Sequence, residues 1–328
     1  MRDAIPILDL PHRQARALLR GGAPVFLSVD PVEYHGPHLS LRNDHLVSTG
    51  LARRFHAAIE EARAGQEPWP LLCASTLDAG VDPTPGPGSR AVAFRALSEL
   101  IVGACQALAD LGAQRVVLMT FHGAPLHSIS LQRGVEALLR RNVRAIAPLH
   151  LLLSDVATRS PEPFAPALAH VPEAERGPML AALRNDFHAG FMETSFALAL
   201  APASVDPIHR ALPDCPPFAP DPRLLRLAHA ADRIGNRVLG AELRVVAHGL
   251  GWSKVRPFPG YTAQPRYATA ASGEVFVAYA VSRAVPRILD VVAGGPPPPP
   301  PMAWMEALTL RGRLPGLEVP PEAVAAFG

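Results

Sequence analysis

Short apolar runs alternate with amphipathic stretches over most of the chain, and this alternation limits the possible folds more than any other feature. Val25–Val29 has the length and composition of a buried strand, and Asp44–Ala58 follows with helical character. Leu71–Thr76 is strand-like, and Ala91–Leu111 has the pattern of a long helix. Arg115–Thr120 and Val143–Leu149 are further strand candidates around a helix over Ser128–Arg141. Strand followed by helix, repeated, predicts a mostly parallel sheet covered on both faces. Gly80–Gly88, dense in proline and glycine, is expected to be loop.

Beyond Leu149 the pattern loosens. Residues 155–187 form an excursion with one helix expected near Glu173–Asn185, and Glu193–Leu200 begins another. Asp206–Asp221 is proline-rich loop, Arg223–Leu239 helix, Leu243–Ala247 strand and Gly273–Val292 a long helix. Pro296–Pro301 is a proline run that favours extended polyproline conformation. It divides the chain into a main domain over 1–292 and a proline-rich linker and C-terminal tail over 293–328, and the tail is expected to stand apart from the core.

With 48% apolar residues among 328, a large core is available. The 31 basic and 29 acidic residues leave a net charge of +2, and no basic stripe points to nucleic acid. Lys254 is the sole lysine, hence the only side-chain amine for Schiff-base chemistry. Cys73, Cys105 and Cys215 are widely spaced without a C-x-x-C pair, as expected of a reducing cytoplasm. Met1-Arg2-Asp3 opens no apolar signal segment, and no run of about 18 apolar residues predicts a membrane span.

The chemistry-bearing residues cluster at strand ends. Glu33 and His35 lie two apart just beyond the first long strand, so extended chain puts both on one face. Gly36-Pro37 turns the chain, and Asp44 arrives at a helix start. Two carboxylates and an imidazole suit a borderline divalent ion such as Zn, Mn or Fe. Singly, each has a plainer reading: Asp44 as a helix N-cap, His35 and His38 as loop histidines. His122 ends a second strand, where it either joins a site or marks the strand's exit from the core. His188 and Glu193 lie in Asp186-Phe187-His188-Ala189-Gly190-Phe191-Met192-Glu193-Thr194-Ser195, where helix capping is the plainer role for Glu193.

Taken together these segments resemble the creatininase family. Glu33-Tyr34-His35-Gly36-Pro37-His38-Leu39-Ser40-Leu41-Arg42-Asn43-Asp44 is similar to its E-x-H-G-x-H-L-P-L-x-T-D signature. His188-Ala189-Gly190-Phe191-Met192-Glu193-Thr194-Ser195 resembles its H-A-G-x-x-E-T-S. Gly260 to Gly273, through Pro265, Ala268 and Thr269, resembles its C-terminal G-x-x-G-x-P-x-x-A-T-x-x-x-G. The resemblance spans roughly residues 20 to 290 and implies a three-layer α/β/α fold with a mostly parallel central sheet. It implies two divalent ions, Zn, Mn or Fe, and a small-molecule substrate whose non-peptide amide C–N bond, cyclic or formyl, is hydrolysed. By position, Glu33 and His122 would bind one ion and His35 the other, with Asp44 bridging and Glu193 the candidate fifth ligand. The ions would acidify a water and polarise the amide carbonyl, and His188 is the candidate general acid/base. The resemblance also implies a homo-oligomer, often hexameric.

Three departures bear on substrate. The family's N-G-H-G-G-N stands here as Thr120-Phe121-His122-Gly123-Ala124-Pro125, and Ala124 occupies a position where creatininases carry a glutamate ligand. No tryptophan occurs between 150 and 190 to sandwich a small ring; Trp69, Trp252 and Trp304 lie elsewhere. His127 either lines the altered pocket or is a surface histidine. Creatinine is therefore a poor substrate guess. Two rival readings remain open: a catalytically weak member that binds a metabolite or protein, and a small-peptide-processing metallopeptidase of the mycofactocin-maturation type.

Overall fold

In the computed structural model, residues 3–313 and 319–326 are described; Met1, Arg2 and tail residues 314–318 and 327–328 lie outside them. The strands are β1 (Ile5–Pro6), β2 (Val25–Asp30), β3 (Leu72–Cys73), β4 (Leu77–Asp78), β5 (Arg115–Met119) and β6 (Arg144–Ile146). They form one sheet in the order β1-β3-β2-β5-β6, with β4 paired to the end of β2, and every pairing is parallel. The helices are α1 (His12–Arg20), α2 (Asn43–Ala62), α3 (Phe94–Leu111), α4 (Pro125–Leu139), α5 (Leu149–Thr158), α6 (Glu173–Ala182), α7 (Phe191–Leu200), α8 (Pro222–Arg233), α9 (Arg237–Trp252), α10 (Ala270–Ala293) and the single turn α11 (Met305–Leu308).

The period-2 alternation of side chains builds the layers. Val25 and Leu27 of β2, with Val116 and Leu118 of β5, join Leu97 and Ile101 of α3 and Leu131 and Val135 of α4 on one face. Phe26, Val117 and Met119 point the other way, into a core with Val47 and Leu51 of α2, Phe196 of α7 and Phe276 of α10. A strand covered on both faces must be apolar throughout, which is why Val25–Val29 is a run and not an alternation. The result is the expected three-layer α/β/α fold with a parallel central sheet.

Local signals set several boundaries. Asp221 caps α8 by accepting from the N–H groups of Arg223 and Leu224, with Pro222 in the first turn. Asn236 caps α9 and Thr269 caps α10 in the same way. Gly112, at φ 110°, ends α3 in the left-handed region that glycine enters without steric cost.

Two expectations are corrected. Leu243–Ala247 is not a strand but the middle of α9, with Leu243 and Ala247 buried one turn apart. A five-residue apolar run does not by itself distinguish strand from buried helix. The proline run also fails to hold the tail away from the core. Glu242 of α9 accepts from the Met302 N–H and the Trp304 indole N–H, both at 2.8 Å. Trp304 packs on Ala228, Ala231 and Leu243. Farther along, Phe258 pairs with the chain end through Phe258 N–H to Ala323 O (2.7 Å) and Ala325 N–H to Phe258 O (2.8 Å), and Val319 is buried beside Trp252 and Phe258. Carboxylate, indole and apolar contacts outweigh the stiffness of the spacer.

Candidate metal centre

Parallel neighbours β2 and β5, in register from Val25 opposite Val116 to Ser28 opposite Met119, deliver their following loops to the same edge of the sheet. In open α/β sheets that carboxyl edge is where sites form. Glu33 and His35 leave β2, His122 leaves β5, and Asp44 stands in the first turn of α2. Asp30 ties these together from below: buried, it accepts from the Phe121 N–H (3.0 Å) and the Ser48 hydroxyl (2.7 Å).

Six residues converge. His35 Nε2 lies 3.1 Å from Asp44 Oδ1 and 3.7 Å from Glu193 Oε2. His122 Nδ1 lies 2.8 Å from Glu33 Oε2 and 3.6 Å from Asp44 Oδ2. His188 Nδ1 lies 3.7 Å from Glu33 Oε1, and its ring stacks on His35 at 4.4 Å. Glu33-His35-Asp44 and His35-His188-Glu193 each bring three ligand atoms within 4.8 Å of one another.

The free ring nitrogens are set by the other nitrogen of each ring. His35 Nδ1–H donates to the Glu33 carbonyl (3.0 Å), which aims Nε2 into the cluster. His122 Nε2–H donates to the Val81 carbonyl (3.0 Å), which aims Nδ1 inward. His188 Nε2–H donates to the Tyr34 carbonyl (2.9 Å). Backbone carbonyls fixing the tautomer in this way are the outer shell expected of metal-ligating histidines.

The donor set fits divalent cations. Glu33 Oε2 and Asp44 Oδ2 are buried without an aligned hydrogen bond, with His122 Nδ1 at 2.8 and 3.6 Å, and buried carboxylate oxygens are costly unless a cation, imidazolium or metal, sits beside them. The proton equilibria agree. Burial works against the charged form of His35, yet Asp44, Glu33 and Glu193 lift its pKa to about 10. Burial likewise opposes His122, and Glu33 and Asp44 raise it to about 9. Burial lifts Asp44 to about 6 and Glu193 to about 8, in each case against the pull of His35. Burial also opposes ionisation of Glu33, but His122 holds its carboxyl well below the usual range. His35, His122, Asp44 and Glu193 thus hold protons more tightly than usual, protons that a cation would replace.

Glu193 makes the capping contact and also faces the cluster. Its Oε2 accepts from the Ala189 N–H (2.6 Å) at the start of α7 and faces His35 Nε2. The turn that aims it requires Gly190: a Cβ there would stand 1.9 Å from Asp186 Oδ1 and 2.6 Å from the Thr262 carbonyl. Ala124 has no ligand atom and serves as the N-terminal cap position of α4. His127 is neither a pocket residue nor a surface one. It is fully buried, donating from Nε2 to the Val29 carbonyl (3.1 Å) with its ring at 5.0 Å from His122. The apolar side of α4 carries it into the core below the site.

Several contributors were not legible in the sequence. The Thr84 N–H donates to Glu33 Oε1 at 2.5 Å, and the Thr84 hydroxyl lies 3.3 Å from His188 Nδ1. Asp186 accepts from the Met192 N–H (2.7 Å) and so braces the His188–Glu193 turn. Trp252 packs 5.3 Å from His188 and lines a cavity of about 440 Å³ that opens on the cluster. Thr84 and Trp252 reach the site from distant loop and helix positions, and no spacing along the chain announces them. Lys254 pairs with Asp221 at 3.6 Å and does not line that cavity, so it offers no Schiff-base role there.

A parallel α/β/α sheet with a buried carboxylate–imidazole cluster at its carboxyl edge defines an α/β protein built around a candidate metal site. A family model described as creatininase, creatinine amidohydrolase, matches residues 9–288, and the chain belongs to the creatininase family. Solved structures agree on the fold. A manganese creatininase is 19% identical at a TM-score of 0.57, covering 88% of this chain and 98% of that one. A Glu→Gln creatininase variant described as Zn–Zn type is 20% identical at 0.57, covering 87% and 98%. A putative creatinine amidohydrolase from Bacteroides fragilis is 16% identical at 0.51, covering 82% and 90%. No curated protein matches the chain.

Proposed function

We propose that the protein is a two-metal amidohydrolase acting on a non-peptide amide C–N bond, cyclic or formyl, in a small-molecule substrate. The observation that carries this reading is the division of Asp44: Oδ1 faces His35 and Oδ2 faces His122, inside a buried cluster of carboxylates and imidazoles. Glu33 and His122 would hold one ion, His35 and Glu193 the other, with Asp44 shared; Zn, Mn and Fe all suit such donors. Bound there, the ions supply an acidified water and a polarised carbonyl.

The chain's own residues handle the proton. Burial first, and then the charge on His35, push His188 down to about 3, so its ring is neutral. With Nε2–H committed to the Tyr34 carbonyl, Nδ1 holds the lone pair that takes a proton from the nucleophile and returns it to the leaving nitrogen. The Thr84 hydroxyl beside Nδ1 orients that exchange. Glu193, at the same edge, is the second group able to hold a proton when it is not ligating. The family resemblance also supports a homo-oligomer, hexameric in many members, to be measured by sedimentation equilibrium.

Elemental analysis tests the reading directly. The purified protein should hold up to two divalent ions per chain and hydrolyse members of a panel of cyclic amides and formamides, with loss on chelation. Asp44→Ala should lose both ions and that activity. Full occupancy in Asp44→Ala would refute the bridge, and hydrolysis indifferent to chelation would refute the metal mechanism.

A further inference from the structure

The cavity over the cluster has a second wall that the chemistry above does not use. Leu153 and Val156 of α5, Val246 and Leu250 of α9, and Met302 and Met305 of the tail line it. Of these only Met302 is buried, and none belongs to or packs against any hydrophobic cluster of the described residues. Outside the cluster itself, Asp82 and Arg184 are the only charged side chains among the described lining residues. Apolar surface held open on three separate elements, continuous with a polar reaction centre, is the arrangement of a ligand site whose polar groups orient and whose apolar wall binds. At about 440 Å³ the space exceeds what a single small polar ring needs.

We propose that this wall is a specificity site for the apolar body of the substrate, so that the enzyme takes an amide carrying a medium-length alkyl or aryl group. This rests on the amidohydrolase reading. The tail supplies part of the wall. Glu242 anchors Met302 and Trp304, and Glu306 of α11 pairs with Arg133 of α4, so both ends of this tail segment are pinned over the cavity. The C-terminal segment beyond the family match is therefore a substrate-binding element.

Two hydroxamic acids, which share the N–C=O group and chelate metals, separate the claims. Calorimetry on the metal-loaded full chain should show octanohydroxamate binding at least about 30-fold tighter than acetohydroxamate, the factor that burial of two to three of its six extra methylenes supplies. Val246→Asn and Leu250→Asn, both at half-buried positions, should cut that ratio about tenfold and leave acetohydroxamate affinity unchanged. A ratio within threefold, or one that the two variants leave intact, overturns the proposal. An intact ratio together with self-association that Val246→Asn abolishes would assign the wall to a second copy. Binding that survives chelation refutes the metal reading but leaves the ratio to judge the wall, and binding of neither probe refutes both.

Discussion

At the scale of single residues, Glu193 decides whether the second ion of the proposed two-metal site would have a third protein ligand. Glutamine in its place keeps an acceptor for the Ala189 N–H but is a poor metal ligand, so the capping and ligating roles come apart. Glu193→Gln should lower metal content and hydrolysis by about tenfold or more, since losing even an outer-shell partner of a metal ligand costs about that much, while the melting temperature of the metal-free protein barely moves. Normal occupancy would return Glu193 to a capping role and make His188 the candidate ligand, as its grouping with His35 and Glu193 allows.

Proton linkage gives a second residue-scale prediction. His35 at about 10, His122 at about 9, Glu193 at about 8 and Asp44 at about 6 all lie above their ordinary values. Each therefore binds its proton more tightly folded than unfolded. The stability this contributes is complete below the unfolded pKa of each group and is lost as pH rises through its folded one. Glu33 runs the other way: its contribution is present above about 4.5 and lost as pH falls. The metal-free protein should thus lose stability steadily from about pH 6 to 10. The same protons must leave when metal binds, so apparent metal affinity should rise with pH, about tenfold per unit for each proton displaced. Denaturant melts of the chelated protein and metal titrations at pH 6, 7 and 8 check both signs; a metal affinity flat with pH would contradict the cluster's charge balance.

Among the secondary-structure elements, α9 does the most unexpected work. Its Val246 and Leu250 line the cavity, Trp252 at its end packs on His188, and Glu242 holds the tail. Glu242→Ala removes two hydrogen bonds to a carboxylate, and about 2 kcal/mol of tail docking should go with them. Hydrogen exchange should then speed up over 302–309 while the amides of β2 and β5 keep their protection. Uniform acceleration across the chain would mean that the tail and the core unfold as one unit. The run Leu243–Ala247 looked like a strand because its β-branched pair fits either period; the Asn236 cap and the burial of Leu243 and Ala247 on one face make it helical.

For the whole molecule, the tail is the element whose role changes most. Deleting 296–328 should not leave a working catalytic domain. Met302 and Val319 are buried, each worth on the order of 1.5–3 kcal/mol, and removing them uncovers Trp252 and Phe258 beside the site. Thermal denaturation should show a clear fall in melting temperature, with hydroxamate selectivity lost even in the cold. A truncated chain with unchanged stability and selectivity would reinstate the tail as a spacer. Among the described residues no helix is long and apolar enough to cross a membrane, which agrees with the absence of an 18-residue apolar run.

The chain order of apolar runs was sufficient for the parallel sheet, because burial on both faces demands uninterrupted apolar strands whatever else surrounds them. Strand ends and close spacing drew attention to Glu33, His35, Asp44 and His122, while the ligand set as a whole, with Glu193 and His188 in it, came from the resemblance of the motifs to the creatininase family. Only the tertiary structure could bring Thr84 to Glu33, Trp252 to His188 and the tail to the cavity rim. Those contacts join positions 51, 64 and more residues apart, and they depend on how helices pack over the sheet, where composition is permissive and geometry alone selects the partner. The same holds for His127, whose burial follows from which side of α4 meets β2, a choice made by the packing of two cores and not by any residue beside it.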